Sequence, residues 1–461
     1  MITKNQTLTL TVTDVNNLGY GAAHHGGLTV FVGGAIDGET VEATVLTVKK
    51  TYAVAKTTRV LTPSPHRVEN DCPARGCGGC AYRNMTYAHE LTLKGGYVAS
   101  AFRKVGLSHL PVLSTLSTGV TSHYRNKAQY PVTRLPDGSY RIGFYAPKSH
   151  RVVEASNCPL GHPVFSEMIE TVRGYLTAHS LSTYDEATGE GLIRHLYFRR
   201  ATRTDEVLLT VVANGTALPH EGDLVARLTA AHPSLVGILL NTNTEMTNVI
   251  CGDTYRTLWG RDFIEDILAG VRLRISAPAF YQVNHAATEL LYAKAAELAS
   301  LTGKEQLLDL YCGTGSIGLS MARKVRELIG IEIIPEAVEN ARENARLNGI
   351  ENAYFFCGDA GNTRHLLDAA ASAREIHPDV VVLDPPRKGC APELLDYLAE
   401  LSIPKIVYIS CNPDTLARDV KHLLSLGYSS SAVTPVDLFP RTGHVESVVS
   451  LTRRLDVDMR R

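Results

Sequence analysis

The sequence lacks the features that would place a protein in a membrane or on an export route. Its 461 residues contain no uninterrupted apolar run of about 18 residues, so we expect no membrane-spanning helix. The first ten residues, MITKNQTLTL, lack the apolar core of a secretory signal, so we expect a cytoplasmic protein. The net charge is only −1, so the overall charge does not indicate a nucleic-acid partner. A hydrophobic content of 44% is typical of globular proteins, and the length predicts about two to four domains.

The nine cysteines stand out from this plain composition. In a cytoplasmic chain they indicate metal binding or catalysis rather than disulfides. Cys72, Cys77 and Cys80 follow one another with the spacing C-x4-C-x2-C. A cluster would need a fourth ligand, and Cys158, which like Cys72 precedes a proline, is the best candidate. Four thiolates favour an iron–sulfur cluster, with structural zinc as the alternative, and the spacing leaves the cluster type open.

Residues 1–60 alternate apolar and polar side chains with a period of two, which predicts several short strands. Turn residues separate the strands that we predict at Thr7–Val12, Leu28–Val32, Thr40–Val48 and Tyr52–Leu61. So many strands in a short stretch indicate a small closed barrel of the OB-like kind. Such barrels often bind oligonucleotides, although some are plain structural modules. In its pattern of strands and glycines the stretch resembles the TRAM domain, a small RNA-binding β-barrel.

Residues 61–270 are predicted to form a central α+β domain that carries the cysteine cluster. Between Leu61 and Ala155 twelve Lys/Arg stand against five Asp/Glu, a net charge of +7 that suits phosphate binding. The segment His123–Lys127 interleaves aromatic and basic residues, which suits base stacking and phosphate contact. The surface of a hairpin is the competing interpretation, because a turn sequence begins at Pro136. We interpret helices near 162–179 and 221–231, with the strands around them, as scaffold.

Residues 271–461 change to alternating strands and helices, which predicts an α/β domain with a Rossmann-like open sheet. The predicted strand Gln306–Leu310 leads into YCGTGSIG, a G-x-G-x-x-G loop, and Glu332 ends the next strand. This arrangement suits either a dinucleotide or S-adenosylmethionine (AdoMet), with the acid on the ribose. Asp384 begins a D-P-P sequence after the strand Val380–Leu383, which is typical of methyltransferases acting on bases or amines. We therefore favour AdoMet, with Asp359 placed to meet the adenine amine.

Cys411 lies between the predicted strand Lys405–Ser410 and a helix whose N-cap is Asn412 and whose first residue is Pro413. A thiol at the carboxyl end of a strand and beside a helix N-terminus is favoured as a thiolate nucleophile. A buried, inert cysteine is the alternative. Glu446 begins the last predicted strand and would face the same cleft, unless it is only a surface charge on an edge strand. Because ligands gather at the carboxyl ends of strands, we predict that these groups converge.

Together these motifs resemble the RNA 5-methyluridine methyltransferase family, in particular its TRAM-containing iron–sulfur members that act on 23S ribosomal RNA. The resemblance spans nearly the whole chain and is carried by FYQVN, LDLYCGTGSIGL, LDPPRKG, SCNP and HVESVV. It implies that Cys411 is the nucleophile, that Glu446 is the base, and that the four cysteines hold a four-iron cluster. The expected AdoMet-binding residues are Gln282, Tyr311, Gly313, Gly315, Ser316, Glu332, Asp359 and Asp384. One departure is that the family's usual cysteine spacing is C-x5-C-x2-C.

The expected activity is methylation of uridine carbon 5 through a covalent adduct between cysteine and carbon 6. The expected partner is RNA, with 23S ribosomal RNA favoured and transfer RNA as the second possibility, and the protein is expected to be a monomer. An adenine N6 methyltransferase is disfavoured, because Arg387 stands where that chemistry needs an aromatic residue. A non-catalytic iron–sulfur RNA-binding protein and an NAD-dependent oxidoreductase are the competing hypotheses from different functional classes.

Overall fold

A computed structural model describes residues 2–359 and 376–454, and its strands form a closed barrel, two seven-stranded sheets and a two-stranded hairpin. The barrel comes first in the chain. Its strands are β1 (Thr7–Val15), β2 (Tyr20–His25), β3 (Leu28–Gly33), β4 (Thr40–Val48) and β5 (Tyr52–Thr62). The order is β1-β2-β3-β5-β4, and β4 pairs with β1 to close the barrel.

Alternation of apolar and polar residues builds the barrel core, as the sequence predicts. On β1 the side chains of Leu8, Leu10 and Val12 are buried, while the threonines between them are exposed. Strand β2 has no counterpart among the predicted ranges, because YGAAHH contains none of the β-branched residues that favour a strand. Its place in the sheet is decided by pairing with β1 and β3.

Helix α1 (Tyr87–Lys104) follows the barrel and the cysteine loop but packs on the last domain of the chain. Its buried residues Val98, Ala101 and Phe102 join the hydrophobic core beneath the C-terminal sheet. Helix α1 thus precedes the predicted domain boundary at residue 270 in the sequence but packs with the C-terminal domain.

The central sheet has the strand order β12-β11-β10-β9-β6-β7-β8. Two helices cover one of its faces and enclose a core with the apolar side chains of that face. A separate hairpin of β13 and β14 leads into the last domain. The elements are β6 (Lys127–Arg134), β7 (Tyr140–Tyr145), β8 (Val152–Glu154), α2 (Pro163–Ala178), β9 (Ile193–Arg200), β10 (Val207–Ala213), α3 (Glu221–Ala231), β11 (Leu235–Thr242), β12 (Thr254–Gly260), β13 (Phe263–Leu268) and β14 (Val271–Ser276).

The C-terminal sheet has the order β17-β16-β15-β18-β19-β21-β20, and all its pairs are parallel except those made by β21. Its apolar strands are buried on both faces, with one hydrophobic core on each side. The elements are α4 (His285–Ala299), β15 (Gln306–Leu310), α5 (Ser316–Met321), β16 (Glu327–Glu332), α6 (Pro335–Leu347), β17 (Ala353–Cys357), β18 (Val380–Leu383), α7 (Pro392–Glu400), β19 (Lys405–Ser410), α8 (Pro413–Ser425), β20 (Tyr428–Val436) and β21 (Glu446–Arg453).

The strand order reverses at β15, which has β16 on one side and β18 on the other. In an open α/β sheet, ligands bind in the crevice at the carboxyl ends of the strands beside such a reversal. The predicted Rossmann-like class is therefore confirmed, and the crevice is located. Within the two described ranges, no helix has the length and apolar character needed to cross a bilayer.

Candidate active site

Strand register brings the predicted acids to one edge of the C-terminal sheet. Leu310 pairs with Ile331 on one side and with Leu383 on the other. The residues that follow these three, Tyr311, Glu332 and Asp384, therefore leave the sheet side by side. Parallel pairing makes their convergence a consequence of the fold, as the sequence predicts.

The glycine loop closes over this edge through backbone geometry. The N–H of Gly313 donates to Glu332 Oε2 at 3.0 Å, so the acid orients the loop as well as facing the crevice. Gly315 has a φ of 79°, a conformation that side-chain-bearing residues rarely adopt. A Cβ at that position would also lie 3.1 Å from Leu319, so the loop needs glycine here for conformation and for space.

Asp309 is a member of the site that the sequence analysis missed. It is the fully buried fourth residue of the five-residue strand β15, and its Oδ2 accepts the N–H of Gly318 at 2.8 Å. Burial, with the carboxylates of Asp384 and Glu332 nearby, raises its pKa to about 7. The signal was available, because a charged residue inside the apolar run LLDL is costly unless it serves the loop beyond the strand.

Cys411 and Glu446 face each other at the ends of two antiparallel strands. Ser410 of β19 pairs with Ser447 of β21, so the next pair along the register is Cys411 with Glu446. Asn412 caps helix α8 as predicted, because its side chain accepts the N–H of Asp414 at 3.1 Å. The thiol is partly exposed.

The expectation of a thiolate-favouring environment at Cys411 is wrong for the resting protein. Burial and the neighbouring carboxyl groups of Glu446 and Asp384 raise the pKa of the thiol to about 11. These effects outweigh the helix N-terminus, whose influence falls off within one turn and is modest in size. The positive charge of Arg387 acts in the opposite direction and lowers the pKa of the Cys411 thiol.

Glu446 is buried, and the hypothesis of a surface charge on an edge strand is wrong. Strand β21 lies between β19 and β20, so its first residue is covered on both sides. Burial, with the Asp384 carboxylate, raises the pKa of Glu446 to about 8, against the opposing charge of Arg387. Burial also raises the pKa of Asp384 to about 7. Three acidic groups therefore share one site and hold some of their protons near neutral pH.

Arg387 is the second residue whose role sequence reasoning missed, having been considered only as the absence of an aromatic ring. Its backbone carbonyl accepts hydrogen bonds from Asn412 Nδ2 at 2.9 Å and from Thr415 Oγ1 at 3.3 Å. The start of α8 thus fixes the D-P-P-R segment beside Cys411. The signal was the arginine itself, directly after two prolines at the end of a strand.

The remaining predicted cofactor residues border the same crevice with fewer contacts. Ser316 Oγ lies 2.7 Å from the Tyr292 hydroxyl. Burial raises the pKa of Tyr292, and the nearby charges of Asp384 and Glu446 raise it further. Asp359 follows β17, and its charge adds to the burial that raises the pKa of Tyr311. Gln282 is held by its backbone, because its carbonyl accepts from Asn126 Nδ2 at 2.9 Å.

The four cysteines of the predicted cluster are neighbours but do not form a ligand set as placed. None is in a disulfide, and each is partly exposed. Burial raises the pKa of Cys80 to about 11, with further contributions from Cys158, Cys72 and Cys77, so the thiols lie within electrostatic range of one another. Across residues 2–359 and 376–454, however, no three His, Cys, Asp or Glu side chains are gathered closely enough to hold a metal ion. The donor chemistry suits a cluster, and the geometry does not.

The fold and the crevice define a Rossmann-like transferase of the AdoMet-dependent type joined to a small barrel. Comparison with known families agrees: residues 254–454 match the tRNA (uracil-5-)-methyltransferase family, and residues 3–58 match the TRAM domain. An RNA methyltransferase of Clostridium acetobutylicum is 38% identical over 99% of this chain and 98% of its own length. One from Halalkalibacterium halodurans is also 38% identical, over 98% of each chain. Both are named as uncharacterized RNA methyltransferases.

A solved structure resembles nearly the whole chain. The tRNA (uracil-54, C5)-methyltransferase of Pyrococcus abyssi, in complex with S-adenosyl-L-homocysteine, superposes with a TM-score of 0.77 and 26% identity. The match covers 96% of this chain and 99% of that one. The chain belongs to the TRAM-containing RNA uracil-5-methyltransferase family, and it is an RNA methyltransferase.

Proposed function

We propose that the protein methylates carbon 5 of a uridine in RNA through a transient covalent bond between Cys411 and carbon 6 of the uracil ring. The observation that carries this proposal is the register of β19 and β21, which sets a thiol and a buried carboxyl group opposite each other. A non-catalytic RNA-binding protein has no use for a buried acid beside a partly exposed thiol, and burying it is costly. Residues that do chemistry are where such perturbed groups gather.

AdoMet is proposed to bind in the crevice between the glycine loop and the ends of β16 to β18. Glu332, already oriented by Gly313, would accept hydrogen bonds from the ribose hydroxyls. Bound S-adenosyl-L-homocysteine in the Pyrococcus abyssi relative supports this assignment. The methyl donor supplies an electrophilic methyl group on a sulfonium sulfur. The proposed contacts are Gln282, Tyr311, Gly313, Gly315, Ser316, Glu332, Asp359 and Asp384.

Cys411 starts the reaction because carbon 5 of uracil is a poor nucleophile. The partly exposed Cys411 thiol first loses its proton to solvent. The thiolate gives an electron pair to carbon 6, and the electrons of the carbon 5–carbon 6 double bond move onto the carbonyl at carbon 4. The resulting enolate makes carbon 5 nucleophilic, and it takes the methyl group while the sulfonium sulfur keeps the bonding pair. Arg387, the cation that opposes the raised pKa of Cys411, is proposed to stabilise the thiolate.

Glu446 completes the reaction by removing the proton from carbon 5 of the methylated adduct. The electron pair of that bond re-forms the ring double bond, the carbon 6–sulfur bond breaks, and the thiolate leaves. A pKa of about 8 places this carboxyl group close to the working pH of a general base. Because the uracil ring must reach a crevice at a sheet edge, the target has to be unstacked or flipped out of its helix.

The test is trapping on RNA that contains 5-fluorouridine. Fluorine at carbon 5 cannot leave as a proton does, so the wild-type protein should form a stable protein–RNA adduct detected by a denaturing gel shift. Cys411→Ala should form none and should lose methyl transfer. Cys357→Ala, which changes an exposed cysteine at the end of β17, is the matched control and should still form the adduct. Full activity of Cys411→Ala would refute the proposal.

The proposed substrate is 23S ribosomal RNA, and transfer RNA is the second candidate. The resemblance to iron–sulfur members of the family supports the first, and the name of the Pyrococcus abyssi relative supports the second. Mapping 5-methyluridine in both RNAs from cells with and without the protein separates them. Loss of the modification from only one RNA identifies the substrate.

An iron–sulfur cluster at Cys72, Cys77, Cys80 and Cys158 is proposed on the chemistry of its four thiols alone. Its closure would need the cysteine loop to draw the thiols closer than they lie in this structure. No step of the reaction depends on it. Iron, sulfide and zinc analysis of anaerobically purified protein tests the assignment, and zinc without iron would replace it with a structural zinc site.

A further inference from the structure

Two positive side chains lie directly opposite each other on the central sheet. Lys127 of β6 and Arg199 of β9 are register partners in an antiparallel pair, so both project from the same face. Like charges in this position destabilise a sheet. An arrangement that costs stability in the free protein needs a compensating reason.

Backbone carbonyl groups hold Arg199, which has no carboxylate partner in the described part of the chain. It is buried, its Nε donates to the carbonyl of Ala277 at 2.9 Å, and its guanidinium also reaches the carbonyl of Ala279. The Tyr197 hydroxyl donates to the Ala277 carbonyl as well, at 3.0 Å. Carbonyl groups satisfy the donors of the guanidinium but leave its positive charge uncompensated.

Lys127 is also positively charged but, unlike Arg199, has no hydrogen-bond acceptor among the described residues. It is half-buried, and its ammonium group has neither a carboxylate nor a hydrogen-bond acceptor within the described ranges of the chain. Burial, with the charges of Arg199 and Arg125, lowers its pKa to about 8. Cys251 acts in the opposite direction and favours the ammonium, but burial raises its own pKa. Among the described residues, Lys127, Arg125 and Arg199 thus share a site in which none of them forms an ion pair with an acid.

This basic site borders the proposed cofactor segment. The N–H of Asn126 donates to the Val283 carbonyl at 2.9 Å, and its Nδ2 donates to the Gln282 carbonyl at 2.9 Å. Phe280 lies in the chain between Ala279, whose carbonyl contacts Arg199, and Gln282, whose carbonyl contacts Asn126. Its side chain is exposed, with 66% of its surface accessible. A cationic pocket with an exposed ring at its rim is suited to a nucleotide backbone with an unstacked base.

We propose that Lys127, flanked by Arg125 and Arg199, binds a backbone phosphate of the substrate RNA close to the target uridine. A phosphate supplies the negative charge that all three cations lack, and it turns their mutual repulsion into binding free energy. The rigid attachment of Arg199 orders the site before RNA arrives. The inference rests on the proposed function for the identity of its ligand.

The first test is the salt dependence of RNA binding. Each phosphate neutralised on a single strand contributes about 0.7 to the slope of log affinity against log salt. Lys127→Met should lower that slope by about 0.7, which is a loss of about fivefold in affinity at 0.1 M salt. Lys304→Met, at an exposed lysine beside the opposite edge of the C-terminal sheet, should leave the slope unchanged. An unchanged slope in Lys127→Met would overturn the inference.

The second test is thermal stability, which separates a ligand-binding role from a structural one. Removing Lys127 relieves repulsion, so Lys127→Met should melt at a higher temperature than the wild type below pH 8. The gain should shrink as pH rises through about 8, because the wild-type lysine then loses its proton. Lys127→Arg, which stays charged, should keep its RNA affinity at pH 9, where the affinity of the wild type should fall by up to about fivefold at 0.1 M salt. A lower melting temperature for Lys127→Met would show a structural lysine and sink the inference.

These outcomes are distinct from failure of the proposed function. If the wild type formed no adduct with 5-fluorouridine RNA, the assignment of the reaction would fall. The slope and melting comparisons would still decide whether Lys127 meets a phosphate.

Discussion

Replacing Lys94 with methionine tests the buried ion cluster that ties helix α1 to the chain leading to Glu446. The Lys94 ammonium donates to Glu90 Oε1 at 2.8 Å, to Asp437 Oδ1 at 2.7 Å and to the Phe439 carbonyl at 3.1 Å. Both carboxylates are fully buried, and the lysine nearly so. The methionine side chain keeps the bulk of the stem and removes only the charge and its donors.

The expected cost is about 3–5 kcal/mol of unfolding free energy, the range for breaking a buried ion pair by removing one partner. The cost arises because Asp437 and Glu90 then remain buried without the Lys94 ammonium, and Glu90 keeps only the longer ion pair with Arg441 at 3.5 Å. Lys104→Met is the control on the same helix, where the lysine makes an exposed ion pair with Asp414 at 3.2 Å. An exposed pair contributes at most about 1 kcal/mol. The difference in unfolding free energy between Lys94→Met and Lys104→Met therefore measures the effect of burying the ion pair, because both variants lose a lysine.

The cost should depend on pH in a defined direction. Burial already raises the pKa of Glu90 in the wild type, against the opposing charge of Lys94. Without Lys94 that pKa rises further, so the folded variant binds a proton that the unfolded chain releases more readily. A folded-state pKa raised in this way favours folding at acidic pH and loses that support as pH increases. The deficit against the wild type should be larger at pH 8 than at pH 5.5.

Urea unfolding followed by circular dichroism, at both pH values, is the assay. A second variant, Lys94→Met combined with Asp437→Asn, removes one of the stranded charges and should recover part of the loss. Methyl transfer at low temperature should also slow, because the N–H of Arg441 donates to Glu90 Oε1 at 2.7 Å in the segment that leads to Glu446. Equal stability of Lys94→Met and Lys104→Met, within about 1 kcal/mol, would refute the reasoning.

Two further predictions concern the crevice. Gly318→Ala places a methyl group 2.7 Å from Asp309 Oδ2, so we expect about 1–3 kcal/mol of destabilisation and weaker AdoMet binding by calorimetry. Gly96→Ala, on the open face of helix α1, should instead stabilise by about 1 kcal/mol. Resolution of the methylated adduct should speed up as pH rises to about 8 and then level off, because Glu446 must be ionised to accept the proton. A rate that is flat from pH 6 upward, measured by chase of a preformed adduct, would exclude Glu446 as that base.

The local sequence was sufficient to predict those elements whose formation depends on neighbouring residues. Period-two alternation predicted four barrel strands, and Asn412-Pro413 predicted the start of helix α8. The alternating strands and helices after residue 271 predicted the open sheet, and the fixed geometry of parallel pairing then predicted convergence of Glu332 and Asp384. These features depend on propensities and periods that act within a few residues.

Local sequence failed where burial or a distant partner decides the outcome. It placed a favoured thiolate at Cys411, because the helix N-terminus is visible in the sequence, whereas the carboxyl groups that oppose it arrive from β18 and β21. It left two interpretations of Glu446 open, a catalytic base or a surface charge on an edge strand, because the order of strands in a sheet cannot be predicted from one strand alone. It missed β2, which is held by pairing with its neighbours, and it missed Asp309 and Arg387.

The sequence by itself determined the kinds of element, their order and the identity of the reactive groups, since these depend on side chains close together in the chain. Only the tertiary structure decided that β21 inserts between β19 and β20, and this insertion buries Glu446 opposite Cys411. It also decided that Lys127 and Arg199, far apart in the chain, face each other across a strand pair. The physical reason is that the burial of a side chain and the electrostatic interactions it makes depend on distances in space. They are summed over neighbours that lie far apart in the sequence, so no short segment of sequence contains them.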